Sequence, residues 1–310
     1  MSLLTRRRVI LAKIETVSGT DGTPTGALNA ILVRNMNVTP LAADIVSRDL
    51  VRPYLGTSEQ LIASKHVEID FEVEIAGSGT AGTAPKYGPL MRACAMSETV
   101  SAGISTIYAP VSSAFESITI YHNVDGVLHK ITGARGTVEF TFNARAIPVM
   151  KYKFIGIYNA PSDVALPAVD YSLFQTPVAC NSANTTGFSF FSFAAALESI
   201  NLNMSNTVTY RSLIGSEYVQ ITDRKVEGTA VFEAPTITSK DFFTAAIATA
   251  LGSLAMTHGT VTGNKFAVAS SRIDITTPTY TDNNGVMMLS VPFVAVPSSA
   301  GNDEVTFTVT

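Results

Sequence analysis

The chain has 310 residues, of which 46% are hydrophobic and 15% are charged, whereas about 25% of residues are charged in an average soluble protein. A surface so poor in charge predicts self-association, and the net charge of −4 argues against a dedicated nucleic-acid binder, which needs a basic surface. Two cysteines exclude a disulfide framework. The apolar segments are too short for a signal peptide or a bilayer span, so we expect folding in a reducing cytoplasm without membrane insertion.

Short runs of β-branched and aromatic residues, separated by Gly, Asn, Asp and Pro, predict a β-rich fold. The clearest strand covers 67–75, where apolar residues alternate with four carboxylates. One face of this strand is therefore predicted to be apolar and the other acidic. The acidic face is either an ordinary solvated surface or a wall that faces a polyanion without binding it. Further strands are predicted at 137–142, 151–158 and 304–309.

Turns and helices separate these strands. Asp-Gly at 125–126 and Asp-Asn-Asn-Gly at 282–285 predict hairpin turns. One helix is predicted at 89–96, because a proline suits the first helical turn. A second is predicted at 242–251, with Ser239 as its N-cap and Gly252 ending it.

The second half of the chain repeats the first. At one constant shift, several residues of the first half fall on identical residues of the second: Arg52, Gly56, Ile62, Glu68 and Glu74 on Arg211, Gly215, Ile221, Glu227 and Glu233. Farther along the shift becomes smaller and pairs Arg135 with Arg272. The second copy is therefore predicted to lack a hairpin-sized piece near 101–122. We predict two tandem β-domains, 1–160 and 161–310, with a linker at about 159–176.

No set of residues with catalytic chemistry is found. Residues 77–82 match a dinucleotide-binding fingerprint, but the preceding strand is half exposed, and Pro85 and Pro89 delay the helix that a pyrophosphate site requires. We interpret this segment as a flexible loop of small residues. The four histidines lack the paired spacing of a metal site. We therefore predict no catalytic residue, no metal and no cofactor.

Two further segments are open to more than one interpretation. The connection 41–64 is long for a compact domain and rich in apolar side chains, which favours an arm docked on a neighbour over a disordered loop. Residues 209–223 repeat its features. The aromatic run 187–193 is either a subunit contact or, as we prefer, a strand that begins the second core.

Several segments carry a family likeness. They are Ile31-Leu32-Val33-Arg34-Asn35, the segment Arg48-Asp49-Leu50-Val51-Arg52-Pro53-Tyr54-Leu55-Gly56, residues 67–90 with the loop Ala-Gly-Ser-Gly-Thr-Ala-Gly-Thr-Ala-Pro, and residues 210–215 and 272–275. On these residues the chain resembles the tail tube proteins, or major tail proteins, of phages with long, non-contractile tails. The similarity covers nearly the whole chain and is densest in 31–95.

The resemblance implies a mainly β chain of two tandem β-sandwich or rolled-sheet domains, each with a flanking helix. It also implies a structural, non-enzymatic virion protein made in the host cytoplasm. Such subunits close into rings, and the rings stack into a tube that conducts double-stranded DNA during ejection. Two domains per chain would give a ring of three chains with pseudo-six-fold symmetry, and a ring of six chains is the alternative. Besides the chain itself, the implied partners are a tape measure protein, a tail terminator and tail-tip proteins, without a membrane.

The resemblance also implies roles for two surfaces. A negatively charged lumen repels DNA phosphates and lets the duplex slide. The candidates for its lining are Glu68, Asp70, Glu72, Glu74, Glu227 and Glu233, with the strand 137–145 as an alternative. The candidates for ring stacking are Arg48, Arg52, Tyr54, Leu55, Arg211 and Ile214.

Other functions stay open at this point. A tail hub or decoration protein would share the β-rich composition but would not polymerise alone. A carbohydrate-binding β module would need clusters of exposed aromatic residues, yet the chain has no Trp. An enzyme is supported only by the Gly-rich loop.

Overall fold

The computed structural model describes residues 3–310 and consists mainly of β-strands, which confirms the predicted fold class. Its helices are short: α1 (Gly26–Asn29), α2 (Gly88–Ala93) and α3 (Phe242–Ile247). Within this range none of them has the length and apolar character needed to cross a membrane.

The strands are β1 (Arg8–Ile14), β2 (Ala30–Ile31), β3 (Arg34–Ser47), β4 (Gln60–Glu74), β5 (Met96–Ser101), β6 (Ser105–Pro110), β7 (Ile118–Val124), β8 (Val127–Asn143), β9 (Val149–Tyr158), β10 (Ser162–Asp163), β11 (Thr185–Phe190), β12 (Leu197–Asn203), β13 (Thr207–Leu213), β14 (Ser216–Asp223), β15 (Glu227–Glu233), β16 (Gly252–His258), β17 (Phe266–Ile275), β18 (Thr279–Asn283), β19 (Val286–Ala295) and β20 (Thr306–Val309). Each predicted strand overlaps one of this set, although Ile75, residues 304–305 and residues 191–193 lie outside it, and both predicted turns join consecutive strands.

The predicted connection 41–64 is mostly a hairpin rather than a loop. β3 and β4 pair as far as Ser47 and Gln60, so only the residues between them form the hairpin loop. The side chains at this end of the hairpin are exposed on both faces. The alternation that identifies a half-buried strand is therefore missing there, which explains why the sequence pattern placed the strand too late.

The second predicted helix is shorter than expected and has a different cap. The carboxylate of Asp241, not Ser239, accepts hydrogen bonds from the backbone N–H groups of Phe243 (3.0 Å) and Thr244 (2.9 Å). The hydroxyl of Ser239 instead lies 2.9 Å from that of Thr236. Asp241 directly precedes the first helical residue, where a side-chain oxygen reaches the free N–H groups.

One antiparallel sheet runs through both halves of the chain. Its hydrogen-bonded order is β3–β4–β9–β8–β12–β15–β19–β18. The halves meet where β8 pairs with β12, from Glu139 opposite Asn203 to Asn143 opposite Ser199. The hairpin β13–β14 is a separate two-stranded sheet.

A second layer folds back over this long sheet. β8 has a bulge between Thr132 and Arg135, and its first part pairs with β7, which pairs with β1. In the same way β17 pairs with β16, and β16 pairs with β11. Apolar side chains from both layers and from α2 and α3 share one core, so the fold is a rolled β-sandwich.

The order of pairing recurs in the two halves, with one difference. The hairpin β5–β6 has no counterpart between α3 and β16, close to the piece predicted to be missing. The match of Arg135 with Arg272 is wrong. In the first half, Ile155 lies between Glu68 on one neighbouring strand and Arg135 on the other. In the second half, Val294 lies in the same way between Glu227 and Asp274. The structural counterpart of Arg135 is therefore Asp274.

The two halves are closely joined. β20 pairs with β17 of its own half and with β6 of the other half. The rings of Phe140 and Phe307 stack with their centroids 4.1 Å apart. The division into domains 1–160 and 161–310 therefore stays a prediction.

Candidate assembly surfaces

The polar face of the long sheet carries the predicted acidic residues. On β4, Val67, Ile69 and Phe71 are buried in the core, whereas the carboxylates between them point away from it. These carboxylates are Glu68, Asp70, Glu72 and Glu74. The strand is half buried because one side of it packs on the second layer, whereas on the other side the hairpin β13–β14 covers only the end at His66.

The two predicted groups of carboxylates lie on the same face. Directly opposite residues of adjacent antiparallel strands share a face, and one row of such residues crosses the sheet through Glu72, Lys151, Glu139, Asn203 and Glu227. Glu233 lies on this face as well. It follows Glu227 by six residues on β15, and side chains an even number of residues apart on a strand share a face. Sequence reasoning missed the lysines of β9 on this face, although their alternation with Tyr152 and Phe154 marks it.

The bases on this face are paired with its carboxylates. Lys153 Nζ lies 3.6 Å from Glu68 Oε2, and Lys151 Nζ lies 3.7 Å from Glu139 Oε1. Arg34 on the edge strand contacts Glu72 at 3.0 Å and Glu74 at 3.4 Å. The polar face is therefore a mixed surface in which acids outnumber bases, rather than a purely acidic one.

The same pairing occurs in the second half. The ammonium of Lys225 lies 2.7 Å from the carboxylate of Glu227 and lowers the pKa of that group, an effect to which a hydrogen bond from Ser205 adds. Glu227 thus stays ionised on this face at neutral pH.

The predicted stacking residues lie at the ends of two hairpins. Arg48, Arg52, Tyr54 and Leu55 belong to the loop between β3 and β4, whereas Arg211 and Ile214 belong to the hairpin β13–β14. The side chains of Leu55 and Ile214 are fully exposed. The guanidinium of Arg52 lies over the ring of Tyr54, 5.9 Å from its centroid.

The hairpin β13–β14 is held against the first half of the chain. The Arg135 guanidinium, which is buried, donates hydrogen bonds to the carbonyl oxygens of Val219 on β14 and of Phe115 (2.8 Å). The hydroxyl of Tyr210 on β13 donates to the carbonyl of Lys65 at 2.8 Å, and its ring stacks on His66 at 4.8 Å. Burial lowers the pKa of Arg135, and burial with a hydrogen bond to Glu217 raises the pKa of Tyr210 to about 12.

The long sheet ends in two open edges. Among residues 3–310, the outermost strand β3 is hydrogen-bonded only to β4, and the strand at the other end, β18, only to β19. Unpaired backbone donors and acceptors along such an edge are a template for another strand.

The Gly-rich loop is part of the packing between the halves. The N–H of Gly77 donates to Asn264 Oδ1 at 2.6 Å, and that of Gly79 donates to the carbonyl of Gly263 at 2.8 Å. These backbone N–H groups, which a phosphate would need, are therefore engaged by the turn before β17. α2 begins only at Gly88.

The nearest approach to a nucleophile pair is Cys180 beside His258, with Sγ and Nδ1 3.8 Å apart. Burial raises the pKa of the Cys180 thiol and lowers that of His258, so both groups are held neutral. Within the described part of the chain, no three His, Cys, Asp or Glu side chains form a group that could hold a metal ion.

The surfaces described above are a polar sheet face, two open sheet edges and two exposed hairpin ends. A family model described as phage tail tube protein matches residues 5–295. The chain belongs to the phage tail tube family. Members of the family are structural components of the phage tail, and the open sheet edges and exposed hairpin ends are features expected of a tail tube subunit. Among curated proteins, none matches this chain.

Proposed function

We propose that copies of this chain close into a ring through their sheet edges, and that the rings stack into the tail tube. The polar face of the long sheet lines the lumen, and double-stranded DNA passes along it. Because each chain has two similar halves, a ring of three chains has pseudo-six-fold symmetry. The observation that carries the proposal is the joint between β8 and β12 inside the chain.

This internal joint indicates which strand forms the joint between chains. In the first half, a row of directly opposite residues crosses β4, β9 and β8 through Glu74, Val149 and Thr141. The equivalent row of the second half crosses β15, β19 and β18 through Glu233, Met288 and Thr281. Thr281 on the open strand β18 is therefore the counterpart of Thr141, which pairs with Asn201 in the internal joint.

The other open edge supplies the matching partner. The repeat that aligns Glu68 with Glu227 also aligns Asp70 on β4 with Thr229 on β15. Asn37 is opposite Asp70, and Asn201 is opposite Thr229. Asn37 on the open strand β3 is therefore the counterpart of Asn201. A joint of the same register sets Thr281 of one chain opposite Asn37 of the next, with Tyr280 opposite Val38.

Burial supports this joint. The side chain of Phe140, on β8 next to Thr141, is completely buried, whereas its counterpart Tyr280 at the open end is 51% exposed. Pairing β18 with β3 of another chain would cover Tyr280 and satisfy the free backbone groups. A head-to-tail contact of this kind closes into a ring when its rotation allows, and closure removes the edges that make an isolated sheet prone to aggregation.

The charge of the polar face fits a passage for DNA. Its excess of carboxylates repels phosphates, and the paired lysines cannot form the run of free cations that a duplex would bind. The role we propose is mechanical, without catalysis or a cofactor. A tape measure protein inside the tube, and terminator and tip proteins at its ends, are the partners that such a tube requires.

A disulfide across the proposed joint tests the ring. Asn37→Cys with Thr281→Cys should give disulfide-linked dimers and trimers under mild oxidation, because opposite residues in antiparallel strands have Cα atoms about 4.5–5.5 Å apart. The matched control is Thr141→Cys with Asn201→Cys, which should link within one chain. The native Cys94 and Cys180 are buried. A control that links while the test pair stays unlinked in concentrated protein would contradict the proposal.

A further inference from the structure

The stem of the first hairpin, formed by residues 41–47 of β3 and 60–66 of β4, has an apolar surface that residues 3–310 leave exposed. We propose that this stem packs on the second half of the next chain in the ring, in the way that β13–β14 packs on the first half of its own chain. This inference rests on the proposed ring. It assigns the stem to a contact within the ring and leaves only the hairpin loop to reach another ring.

The two hairpins are the same structural unit. In the first, the strand register shifts between the pair Asp44–Ser64 and the pair Ile45–Ile62. In the second it shifts at the same place, between Thr207–Asp223 and Val208–Ile221. The repeat that aligns Ile62 with Ile221 therefore also aligns the bulges. Two residue pairs farther along each hairpin, Ser47 is opposite Gln60 and Tyr210 is opposite Val219. Ser47 is therefore the counterpart of Tyr210.

The counterparts differ sharply in burial. Ile221 is 3% exposed, whereas Ile62 is 58% exposed. Ile45, Val46 and Leu61 around Ile62 are exposed as well. The same side chain in the same hairpin position is thus covered in the second half and bare in the first. The difference arises because β14 packs against β8 and β9, while nothing in the described part of the chain covers the first hairpin in this way.

The second half has a surface that corresponds to the one on which β14 packs. β17 and β19 stand where β8 and β9 stand in the first half, and Val294 takes the place of Ile155. A groove of mixed character is open at this place, with Val294 and Val296 beside Asp223 and Arg224. Its apolar part would face the uncovered apolar stem of the neighbouring copy, and burying Ile62 there removes apolar surface from water.

At the rim of this surface, a lysine would meet a carboxylate of the next chain. Tyr210 stacks on His66, and the repeat places Ser47 over Lys225, the counterpart of His66. The Lys225 side chain is 63% exposed. Ser47 donates a hydrogen bond to Asp49 Oδ1 at 2.8 Å, so the next chain would bring the Asp49 carboxylate near this ammonium, which already contacts Glu227.

Cysteine pairs distinguish this contact from the ring joint. Ser47→Cys with Lys225→Cys should give covalent dimers and trimers with a short bis-maleimide cross-linker, which spans the gap left by the missing side chains, whereas the matched pair His66→Cys with Tyr210→Cys should be linked within one chain. If Asn37→Cys with Thr281→Cys links chains but the Ser47–Lys225 pair gives only monomers, the ring stands and this inference is wrong. If neither pair links chains, the proposed function itself is wrong.

Matched isoleucine variants give a second test that does not depend on cross-linking. Ile62→Ser should leave the unfolding midpoint of the monomer unchanged but raise the protein concentration needed for ring assembly about tenfold, as expected for a lost apolar contact between chains. Ile221→Ser should instead lower the monomer's unfolding midpoint by about 5 °C. Rings that form normally with Ile62→Ser would overturn the inference.

Discussion

Individual buried polar side chains fix the second layer on the first half of the long sheet. The carboxylate of Glu15 accepts hydrogen bonds from the hydroxyls of Ser117 (2.6 Å) and Thr119 (2.7 Å) and from the N–H groups of Gly19 (2.8 Å) and Gly133 (2.7 Å). A buried carboxylate with four donors has the partners that compensate for its lost hydration. Glu15 thereby joins β1, β7 and the bulge of β8.

His122 on β7 is a contrasting case, because its burial is not compensated. The side chain is 5% exposed, and within the described part of the chain neither ring nitrogen has a hydrogen-bond partner. Its ring stacks on that of His129 at 5.8 Å. Burial lowers the pKa of His122 to about 4, and the positive charges of His129 and Arg8 contribute in the same direction.

His122 should make the monomer less stable in acid. Between pH 6.5 and about 4 the unfolded chain binds a proton at this histidine that the folded chain does not. Stability is therefore complete above pH 6.5 and falls as the pH drops, by about 3 kcal/mol in all. His122→Phe should remove this part of the loss, which urea unfolding at pH 7 and pH 4.5 would measure. Equal losses in the variant and the original protein would contradict the assignment.

At the level of residues, the sequence predicts what alternation reveals. The four carboxylates of β4 are placed correctly because each stands between two core residues. The lysines of β9 alternate in the same way but were not assigned to a face, since the face follows only from the register with β4. Asp241 and Ser239 are both good N-caps, and the choice between them depends on where the helix begins.

Among the elements, the two hairpins differ mainly in their ends. β13 and β14 are joined by the tight turn at Ile214–Gly215, whereas the first hairpin has the longer loop 48–59. Arg48 at the start of that loop pairs with Glu59 at its end, so the loop is closed at its base. The exposed Val51 and Leu55 lie between these two residues, where an apolar contact with another ring would be made.

Leu55→Asp should abolish stacking without affecting folding. A fully exposed side chain contributes little to the monomer, so the free energy of unfolding should change by no more than about 0.5 kcal/mol. A carboxylate at an apolar contact between rings would have to be desolvated, and tubes should be replaced by single rings in electron micrographs. Ile247→Asp, an exposed apolar residue at the end of α3, is the matched control and should form tubes. Tubes of normal length with Leu55→Asp would show that this loop does not stack the rings.

Strand positions could be predicted from the sequence, but their partners could not. The β4 and β9 strands have clear alternation, yet nothing in either shows that β8 pairs with β9 on one edge and with β12 on the other. The pairing of β8 with β12 joins residues far apart in the chain, and the bulge in β8 separates the part of this strand that pairs with β7 from the part that pairs with β12. The stem of the first hairpin was taken for a connection because its side chains are exposed on both faces in the isolated chain.

At the scale of the whole molecule, the long sheet gives the chain one polar face and one core. Acids outnumber bases on the polar face, and Lys151, Lys153 and Arg34 each pair with a carboxylate. The lumen that we propose therefore lacks free cations but is not uniformly negative.

Adding free cations to this face should slow DNA. Thr141→Lys with Thr229→Lys introduces two ammonium groups on the polar face without breaking an existing ion pair. Such virions should eject DNA about tenfold more slowly at low salt and recover as the salt concentration rises, since phosphate binding weakens with salt. Thr141→Glu with Thr229→Glu is the matched control and should eject at the normal rate. Equal rates for the two double variants would place the lumen on another surface.

Overall self-association could be predicted from the low charge content, and the repeat indicated how the chain is organised. The joint that we propose between chains could not be predicted, because the argument for it depends on the register of β8 with β12 and on the pairing of β18 with β19. Those pairings place Thr281 and Asn37 at opposite ends of one sheet.

A cryo-electron microscopy map of the assembled ring tests the central claim most directly. We expect three chains per ring and one closed inner sheet, in which β18 of each chain pairs with β3 of the next and Thr281 stands opposite Asn37. A ring of six chains, or a tube in which the edges of β3 and β18 stay unpaired, would contradict the account.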